Sequence, residues 1–406
     1  MRHVSNMANM TTRLPLHVTV LGALWLGACG QTERTLTPEG EEARRAVLAS
    51  TVSNVIVPGY ERFAAKASDL KIALDAFAEA EASSDEAADP TAVRTAWAEA
   101  MLAWQEAELF ILGPAAPMAQ AGGKGLRDRI YSWPIVNPCR VDQETVRETW
   151  GDSTNLPSLP ANVRGLAAIE WLLHAPQTNA CPPQAAINAD GTWAAMNAEE
   201  VRRKRAFHAS MLGLQLAFDA NELRDAWQPS KGNFAKELAE AGLTPTYRSA
   251  QEGLNTVSDA MFYLDKEVKD MKLAIPLALR DCAETVCPDK TENPTSRRSK
   301  EHLVANTRAF IQLFHGGSDA ATGTGFDDLL IAVGASSLAD TIALRLDEAI
   351  AALEAIEGPL EEAVVSDKAK VQAAYDKLRA VTDLLKTELL SVLDLELPER
   401  ADGDND

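Results

Sequence analysis

The sequence predicts an all-α fold of two packed antiparallel helical bundles. Apolar residues recur at helical spacing through most of the chain, and capping residues or Gly-Pro breaks separate the periodic segments. Sustained alternation of period two is absent from the sequence, and the connections are short, as in bundles. We expect a first bundle over residues 41–228, a second over residues 229–395 and an acidic tail over residues 396–406, with the boundary near 229–233.

In the first bundle, we predict helices over residues 41–82, 90–112, 143–150, 162–175 and 197–227. Pro58-Gly59 predicts a kink or a break in the first helix, because proline lacks the amide hydrogen of the helical ladder. Asp89 is the expected N-cap of the second helix, which stops at Gly113-Pro114. In the last helix, four apolar residues follow at steps of four, three and four and therefore share one side: Phe207, Met211, Leu214 and Phe218.

In the second bundle, we predict helices over residues 247–279, 298–314, 326–356 and 367–393. The first of these is interrupted near Pro276, and Ser366 is the expected N-cap of the last. The last helix is indicated by apolar residues at helical spacing: Val371, Tyr375, Leu378, Leu385 and Val392.

The N-terminal segment predicts export and lipid attachment. Arg13 precedes a mostly apolar run over residues 14–28, which is too short to span a bilayer permanently and is typical of a secretory signal peptide. The run ends in Gly27-Ala28-Cys29, which resembles a lipobox and implies that Cys29 is the lipidated first residue of the mature chain. The alternative is an ordinary secreted protein with a cysteine at this position.

The expected location is outside the cytoplasm. Residues 29–40 are polar and read as a tether, and Gly30 is not the aspartate that would indicate retention in the inner membrane. In a host with two membranes, we therefore expect the chain on the periplasmic side of the outer membrane or at the cell surface, held through Cys29. Met7 and Met10 are alternative start residues.

The chain is strongly acidic, with a formal net charge of -20 from 39 basic and 59 acidic residues. This excess of carboxylates argues against nucleic acid or an anionic lipid surface as a partner. It is compatible with cation binding, although solubility alone explains it.

The mature chain retains Cys139, Cys181, Cys282 and Cys287. An even number of cysteines in an exported protein predicts two disulfides. Of the three pairings, Cys139–Cys181 with Cys282–Cys287 is the most economical.

Three motifs in the first bundle combine aromatic, arginine and glutamate residues. The first is Trp97, Trp104 and Glu108, whose spacings of seven and four put them on one helix face. The other two are Arg129-Ile130-Tyr131-Ser132-Trp133-Pro134 and Gly165-Leu166-Ala167-Ala168-Ile169-Glu170-Trp171. Because Glu170 lies in an otherwise apolar stretch, we expect its carboxylate to be hydrogen-bonded, paired or metal-bound.

Together these motifs resemble the imelysin-like family, in particular its periplasmic lipoprotein branch, from about residue 41 to the C-terminus. The third motif resembles the Gly-x-His-x-x-Glu helix of the family, with Ala167 at the histidine position. Weaker resemblances lie further along the chain, where solvated loop residues are the alternative: Asp270-Met271-Lys272-Leu273 with Pro276-Leu277, Ser296 and Ser299 before a helix with Asn306, and Ala401-Asp402-Gly403-Asp404.

The resemblance implies an exported protein with a pocket between its two halves beside the Gly-x-His-x-x-Glu helix. Family members include iron-regulated surface proteins, periplasmic parts of iron uptake systems and proteins classed as metallopeptidases. The ligand-binding residues that we expect from it are Glu108, Arg129, Ser132, Trp133, Gly165 and Glu170, with Glu170 and Glu108 as metal ligands. Arg129 is expected to pair with Glu108 or with an acidic ligand, and hard oxygen ligands favour iron(III) or calcium, of which iron is preferred.

The sequence favours a binding protein over a hydrolase. It lacks H-E-x-x-H and Gly-x-Ser-x-Gly, and the mature histidines His174, His208, His302 and His315 are scattered. We expect a metal ion, iron in particular, or a metal-linked ligand to bind. The alternatives are a metallopeptidase with an altered ligand set, an envelope scaffold that binds another protein, and a Glu170 that only forms a structural salt bridge with Arg129 or Arg164.

Overall fold

The computed structural model describes residues 38–318 and 321–398. The signal segment, the lipidation site at Cys29 and the motif at residues 401–404 lie outside these residues, and the predictions made for them stay predictions.

The described part of the chain is helical and contains no β-strand, which confirms the predicted all-α class. Its α-helices are α1 (Pro38–Thr51), α2 (Val57–Ser83), α3 (Thr91–Ala107), α4 (Leu126–Ile130), α5 (Pro138–Arg147), α6 (Gly165–His174), α7 (Ala186–Ala189), α8 (Thr192–Ala195), α9 (Ala198–Trp227), α10 (Phe234–Ala239), α11 (Ala250–Met261), α12 (Ser299–His315), α13 (Phe326–Ala332), α14 (Ser336–Glu354), α15 (Leu360–Ser366), α16 (Lys368–Leu384) and α17 (Leu390–Leu393). Short 3₁₀ turns lie at Gly113–Ala115, Thr149–Gly151, Leu156–Ser158, Ala161–Val163 and Pro288–Lys290.

Three segments are π-helical: Val52–Ile56, Leu264–Ala274 and Leu385–Leu389. The first joins α1 to α2, so the helical run continues through Pro58-Gly59 without a break. Pro58 lies two residues after the π-helical turn, and prolines and π-helical turns are both usual sites of helix kinks. The segment Leu264–Ala274 is long for a π-helix, a form that is rare and often marks functional sites.

Several predicted helix ends differ from the structure. Helix α3 ends at Ala107 instead of residue 112, so that Glu108 caps the helix. The predicted helix over 326–356 is two helices, because Gly334 adopts a positive φ of 82° between them. Asp367 replaces Ser366 as the N-cap of α16, since its side chain accepts a hydrogen bond from the Lys370 amide.

The core is built mainly by long helices of both halves. Helix α2 packs against α3 and α9, α6 packs against α9 and α3, and α14 packs against α16. Helix α12 contacts both α3 and α14. Both tryptophans of the first motif, Trp97 and Trp104, are buried in this core.

The four apolar residues on one side of α9 share that side as predicted, but the side faces solvent. Phe207, Leu214 and Phe218 are exposed, and Met211 is partly exposed. The buried face of α9 instead carries residues such as Ala209, Leu212 and Leu216, which pack in the core.

Both predicted disulfides are confirmed. Cys139 is bonded to Cys181 with a Cα–Cα distance of 4.5 Å, and Cys282 to Cys287 with a distance of 6.2 Å. Asp142 lies in the same helix as Cys139 and accepts hydrogen bonds from Arg205 and from the Ala180 amide, next to Cys181.

The start of α6 lies directly against the end of α4. Gly165 has a φ of 73°, and a Cβ atom placed there would lie 2.3 Å from the backbone oxygen of Ile130. Because Gly165 has no side chain, the backbone of Ile130 can approach it closely. The loop at Tyr131 therefore lies against the start of α6.

We expect Gly165→Ala to destabilise the protein by at least about 2 kcal/mol, because the left-handed φ costs about 1–2 kcal/mol and the Cβ clash adds to it. The matched control is Gly191→Ala, since Gly191 has a φ of 77° with open space around it. Urea unfolding measures both variants. Equal losses would show that backbone strain alone, and not the contact with Ile130, determines the effect.

Candidate functional site

Lys272 forms the centre of a buried cluster of charges. It lies in the π-helical segment, and its Nζ atom donates hydrogen bonds to Gln105 Oε1 at 2.7 Å and Asn306 Oδ1 at 2.8 Å. The same atom lies 2.9 Å from Glu292 Oε1. All four side chains are buried, so α3, the π-helix, α12 and the loop before α12 meet at one ion pair.

Glu292 is held in its ionised form. Its Oε1 atom also accepts hydrogen bonds from Gln105 Nε2 and Tyr131 OH, both at 2.8 Å, and His302 Nδ1 lies 3.5 Å from Oε2. Burial alone would raise the pKa of Glu292, but Lys272 and His302 lower it to about 2. The Glu292 carboxylate and the Lys272 ammonium therefore form a buried ion pair at neutral pH.

Glu108 belongs to the same cluster through Arg127. Arg127 Nη2 and Nε donate to Glu108 Oε1 at 2.8 Å and 3.2 Å. The other oxygen, Oε2, lies 3.9 Å from Lys272 Nζ and has no hydrogen-bond partner among the described residues. The carboxylate that we predicted as a metal ligand is thus neutralised by two cations.

Arg129 does not pair with Glu108, and this predicted contact is wrong. Arg129 and Arg164 both bind Asp219 on α9, with Arg164 Nη2 at 2.5 Å from Asp219 Oδ2. Arg127 and Arg129 both lie on the short helix α4 but bind different partners, because α4 lies between α9 and the Lys272 cluster.

Aromatic rings enclose the ammonium group of Lys272. Its Nζ atom lies 5.6 Å from the centre of the Trp133 ring and 5.4 Å from that of Tyr263, which is the range of cation–π attraction. Burial raises the pKa of Tyr131 and Tyr263 well above the usual value, and the nearby carboxylates raise it further. Through its contact with the Lys272 ammonium group, Trp133 forms one wall of the cluster.

Glu170 is hydrogen-bonded, one of the three expected solutions for a carboxylate in an apolar helix. It accepts from Asn293 Nδ2 at 2.6 Å, Thr295 Oγ1 at 2.7 Å and the Ser296 amide at 2.9 Å. Burial raises the pKa of Glu170, and these hydrogen bonds oppose that effect. The alternative salt bridge with Arg129 or Arg164 is wrong, because both arginines bind Asp219.

A chain of hydrogen bonds joins Glu170 to the Lys272 cluster. Asn293, which donates to Glu170, also contacts His302 Nδ1 through its Oδ1 atom at 2.6 Å. His302 in turn lies beside Glu292. The structure therefore brings Glu108, Trp133 and Glu170 into one network, whereas the Ser132 hydroxyl donates to the Arg164 carbonyl outside it.

Sequence reasoning missed much of this network. Gln105, Arg127, Glu292, Asn293 and His302 were not predicted as site residues, because isolated polar residues carry no signal of long-range contact.

Some residues of this network lie in the stretches whose resemblance to the family is weaker. Lys272 and Asn306 are buried, so the alternative of solvated loop residues is wrong for them, and the Ser296 amide binds Glu170. Ser299 also lies in the network, since its hydroxyl accepts from the Asn293 amide.

A cavity of about 190 Å³ opens beside the cluster. Its lining comes from both halves of the sequence and includes Arg127, Asp128, Trp133, Glu267 and Met271. Arg127 is the cation that joins this cavity to the buried Glu108, and its third nitrogen, Nη1, donates to the exposed Asp128 at 3.1 Å.

The residues predicted as metal ligands do not fit a bare metal ion. Among the described residues, no group of three or more His, Cys, Asp or Glu side chains has the arrangement of a metal site. The oxygens of Glu170 accept hydrogen bonds from three donors, and Glu108 lies against Arg127 and Lys272.

In the part of the chain that the structure describes, no helix is both long and apolar enough to cross a membrane.

Comparison with known proteins identifies the family. The family model described as Imelysin (peptidase M75) matches residues 56–385. The chain belongs to the imelysin family. This imelysin-family chain is 27% identical over 399 residues to iron-regulated protein A of Synechococcus elongatus, covering 94% of this chain and 95% of the relative.

Two solved structures share the fold of this imelysin-family chain. One is a crystal structure described as a putative iron-regulated protein A precursor from Parabacteroides distasonis, with a TM-score of 0.67, 17% identity and coverage of 87% and 95% of the two chains. The other is an imelysin-like protein from Psychrobacter arcticum, with a TM-score of 0.67, 17% identity and coverage of 88% and 97%. At this identity, they establish the fold alone.

We expect Lys272→Met to destabilise the protein by about 3–5 kcal/mol, because it leaves Glu292 buried without its lysine partner and removes one of the two cations beside Glu108. Adding Glu292→Gln should restore part of the loss, since the two residues are coupled. The control is Lys66→Met, which removes an exposed ion pair with Glu99 and should cost less than about 1 kcal/mol. A Lys272→Met loss as small as that of the control in urea unfolding would contradict the ion pair.

His208 predicts a specific loss of stability in acid. It is buried in α9, stacks on Trp150 and hydrogen-bonds Thr145 Oγ1 at 2.8 Å, and burial lowers its pKa to about 3. Below the ordinary histidine pKa of 6.5, the unfolded chain binds a proton that the folded chain does not. The free energy of unfolding should therefore fall by about 1.4 kcal/mol per pH unit from this group as the pH drops towards 3.

The measurement compares the wild type with His208→Gln, which keeps a hydrogen-bonding group for Thr145 but does not titrate. Urea unfolding between pH 7 and pH 4.5 should show a steeper acid loss for the wild type. Parallel pH curves for the two proteins would contradict the neutral, buried state of His208.

Proposed function

We propose that this chain is a lipid-anchored extracytoplasmic binding protein that takes a compact anionic iron chelate into the cavity beside Trp133. The observation that carries the proposal is the cavity itself. Residues of both sequence halves line it, among them a partly buried arginine and a tryptophan. Cations and aromatic faces are the groups that hold planar carboxylate ligands.

A chelate suits the site better than a bare ion. The candidate carboxylates Glu108 and Glu170 are already bound to cations or hydrogen-bond donors. A ligand that brings its own oxygen atoms to the iron needs only anion recognition from the protein, and Arg127 offers that recognition. The relevance of iron comes from the curated relative, which is named iron-regulated protein A.

Two carboxylates, Asp128 and Glu267, line the cavity together with Arg127 and oppose the entry of an acidic ligand. The exposed Asp128 carboxylate accepts from Arg127 Nη1, so an acidic ligand has to compete with it for that donor. The small cavity volume also favours a compact chelate over a large siderophore.

Secretion and anchoring through Cys29 are supported by the lipobox resemblance and would hold the cavity close to a membrane surface.

The test is calorimetric titration of residues 30–406, purified from an oxidising compartment, with ferric citrate, free citrate and iron(III) chloride. We expect ferric citrate to bind and Met271→Trp, which fills the cavity, to weaken binding at least about tenfold. The control is Met196→Trp, because Met196 is also half-buried but lies away from the cavity. Asp128→Asn should tighten binding, since it removes the competing carboxylate.

Glu170→Ala is a poor test of this site, because it leaves one buried and two partly buried donors without their acceptor and destabilises the network. Binding that survives Met271→Trp, or no binding of ferric citrate, would overturn the proposal. Chelator-sensitive cleavage of casein by the wild type would instead support the metallopeptidase alternative.

A further inference from the structure

A second cavity, of about 260 Å³, lies in the first half of the sequence. It is bounded by the end of α2, the start of α3, the end of α6 and the N-terminal part of α9, together with the loops beside them. It shares no lining residue with the cavity beside Trp133. A ligand in this second cavity is therefore independent of the iron chelate proposed above.

Much of the lining of this second cavity is apolar. Leu172 and Leu173 of α6 and Val201 of α9 are 6%, 5% and 4% exposed, and Phe77 and Ala206 add further hydrocarbon surface. Apolar ligand surface that enters such a cavity is removed from water, which favours binding. The lining therefore suits a ligand with a hydrocarbon body.

The charged residues of the lining are three arginines and one glutamate: Arg94, Arg202, Arg205 and Glu81. Glu81 is buried and already bound, because Arg202 Nε lies 3.3 Å from its Oε2 atom and the Ala88 amide donates to its Oε1 atom at 3.1 Å. Arg205 Nη2 donates to the buried Asp142 Oδ1 at 2.9 Å. These two ion pairs leave one arginine of the lining without a carboxylate.

Arg94 is this remaining arginine. Its Nε and Nη2 atoms donate to the Leu173 carbonyl at 3.0 Å and 2.8 Å, which leaves Nη1 without a protein acceptor in the described part of the chain. No carboxylate of the described residues is in ion-pair contact with Arg94. Asp89 lies close enough to feel its charge but accepts hydrogen bonds from Thr91. The cavity therefore has an excess of positive charge, on an exposed side chain.

Two neighbouring groups also favour a negative ligand. Burial and the positive charges of Arg94 and Arg298 lower the pKa of His174, at the end of α6, to about 4, so His174 is neutral at pH 7. Arg205 is only 4% exposed, and its Nε atom is a buried donor without an acceptor among the described residues. Such a donor is costly, so an oxygen atom that reached it would be bound favourably.

We propose that this cavity binds a small amphipathic monocarboxylate, with its carboxylate at Arg94 and its hydrocarbon chain against Leu172 and Val201. Guanidinium groups bind carboxylates through charge-assisted hydrogen bonds, and Arg94 Nη1 and Arg205 Nε are the donors available for them. The apolar lining disfavours a purely polar anion, and the excess positive charge disfavours a cationic ligand. The cavity volume favours a compact chain.

Calorimetric titration of the purified protein at pH 7 tests the ligand class. We expect octanoate to bind with one molecule per chain. Octanol has the same chain without the charge, and acetate has the same head group without the chain, so each should bind at least about tenfold more weakly than octanoate. Octylammonium should bind no more tightly than octanol, because its charge has the wrong sign.

Substitutions of Arg94 test the position of the carboxylate. Arg94→Gln keeps a donor for the Leu173 carbonyl but removes the charge, and it should weaken octanoate binding at least about tenfold. Arg94→Lys should retain more affinity, because it keeps the charge. The control is Arg62→Gln, which removes a surface ion pair with Glu106 outside the cavity and should bind octanoate like the wild type. Circular dichroism melting curves establish that the variants are folded.

Met271→Trp separates the two cavities, since it fills the one beside Trp133 and should leave octanoate binding unchanged. Loss of octanoate binding in Met271→Trp would place the ligand in the wrong cavity. That result, no octanoate binding by the wild type, equal affinity for octanoate and octylammonium, or binding that Arg94→Gln leaves intact would overturn the proposal.

Discussion

The buried ion pair between Lys272 and Glu292 is the contact on which the arrangement of the two halves of the sequence depends. Taking two charges out of water costs several kcal/mol per ion unless hydrogen bonds and opposite charges compensate for it. The compensation here comes from Gln105 on α3, Asn306 on α12 and Tyr131 after α4. These elements have to meet in one geometry, because any displacement leaves a buried charge unsatisfied.

The π-helical segment makes this geometry available. In an α-helix, residues three positions apart lie on the same face. In the segment Leu264–Ala274, Lys269 and Lys272 are both buried but have separate surroundings: Lys269 lies beside Asp265 and the Tyr375 ring, and Lys272 beside Glu292. The wider helix therefore presents two cations to two different sets of neighbours.

Much of the fold was predictable from the sequence, whereas the contacts of the site were not. Local signals gave the all-α class, the long helix α9 and the disulfide partners, because periodicity, caps and cysteine spacing are short-range properties. Periodicity shows which residues share a side of a helix but not what covers that side, and the side of α9 that carries Phe207 and Phe218 faces solvent. The choice of Arg127 over Arg129 as the partner of Glu108 depends on packing between distant elements, and Lys272 contacts Gln105 across 167 residues.

The same long separation bears on the order in which the molecule can fold. Synthesis proceeds from the N-terminus, so Gln105, Glu108 and Tyr131 are made well before Lys272 and Glu292. Until these residues follow, Gln105 and Tyr131 lack the side chains that they contact in the folded protein, although Glu108 can already pair with Arg127. The native cluster is therefore completed late, when the second half of the sequence supplies its ion pair.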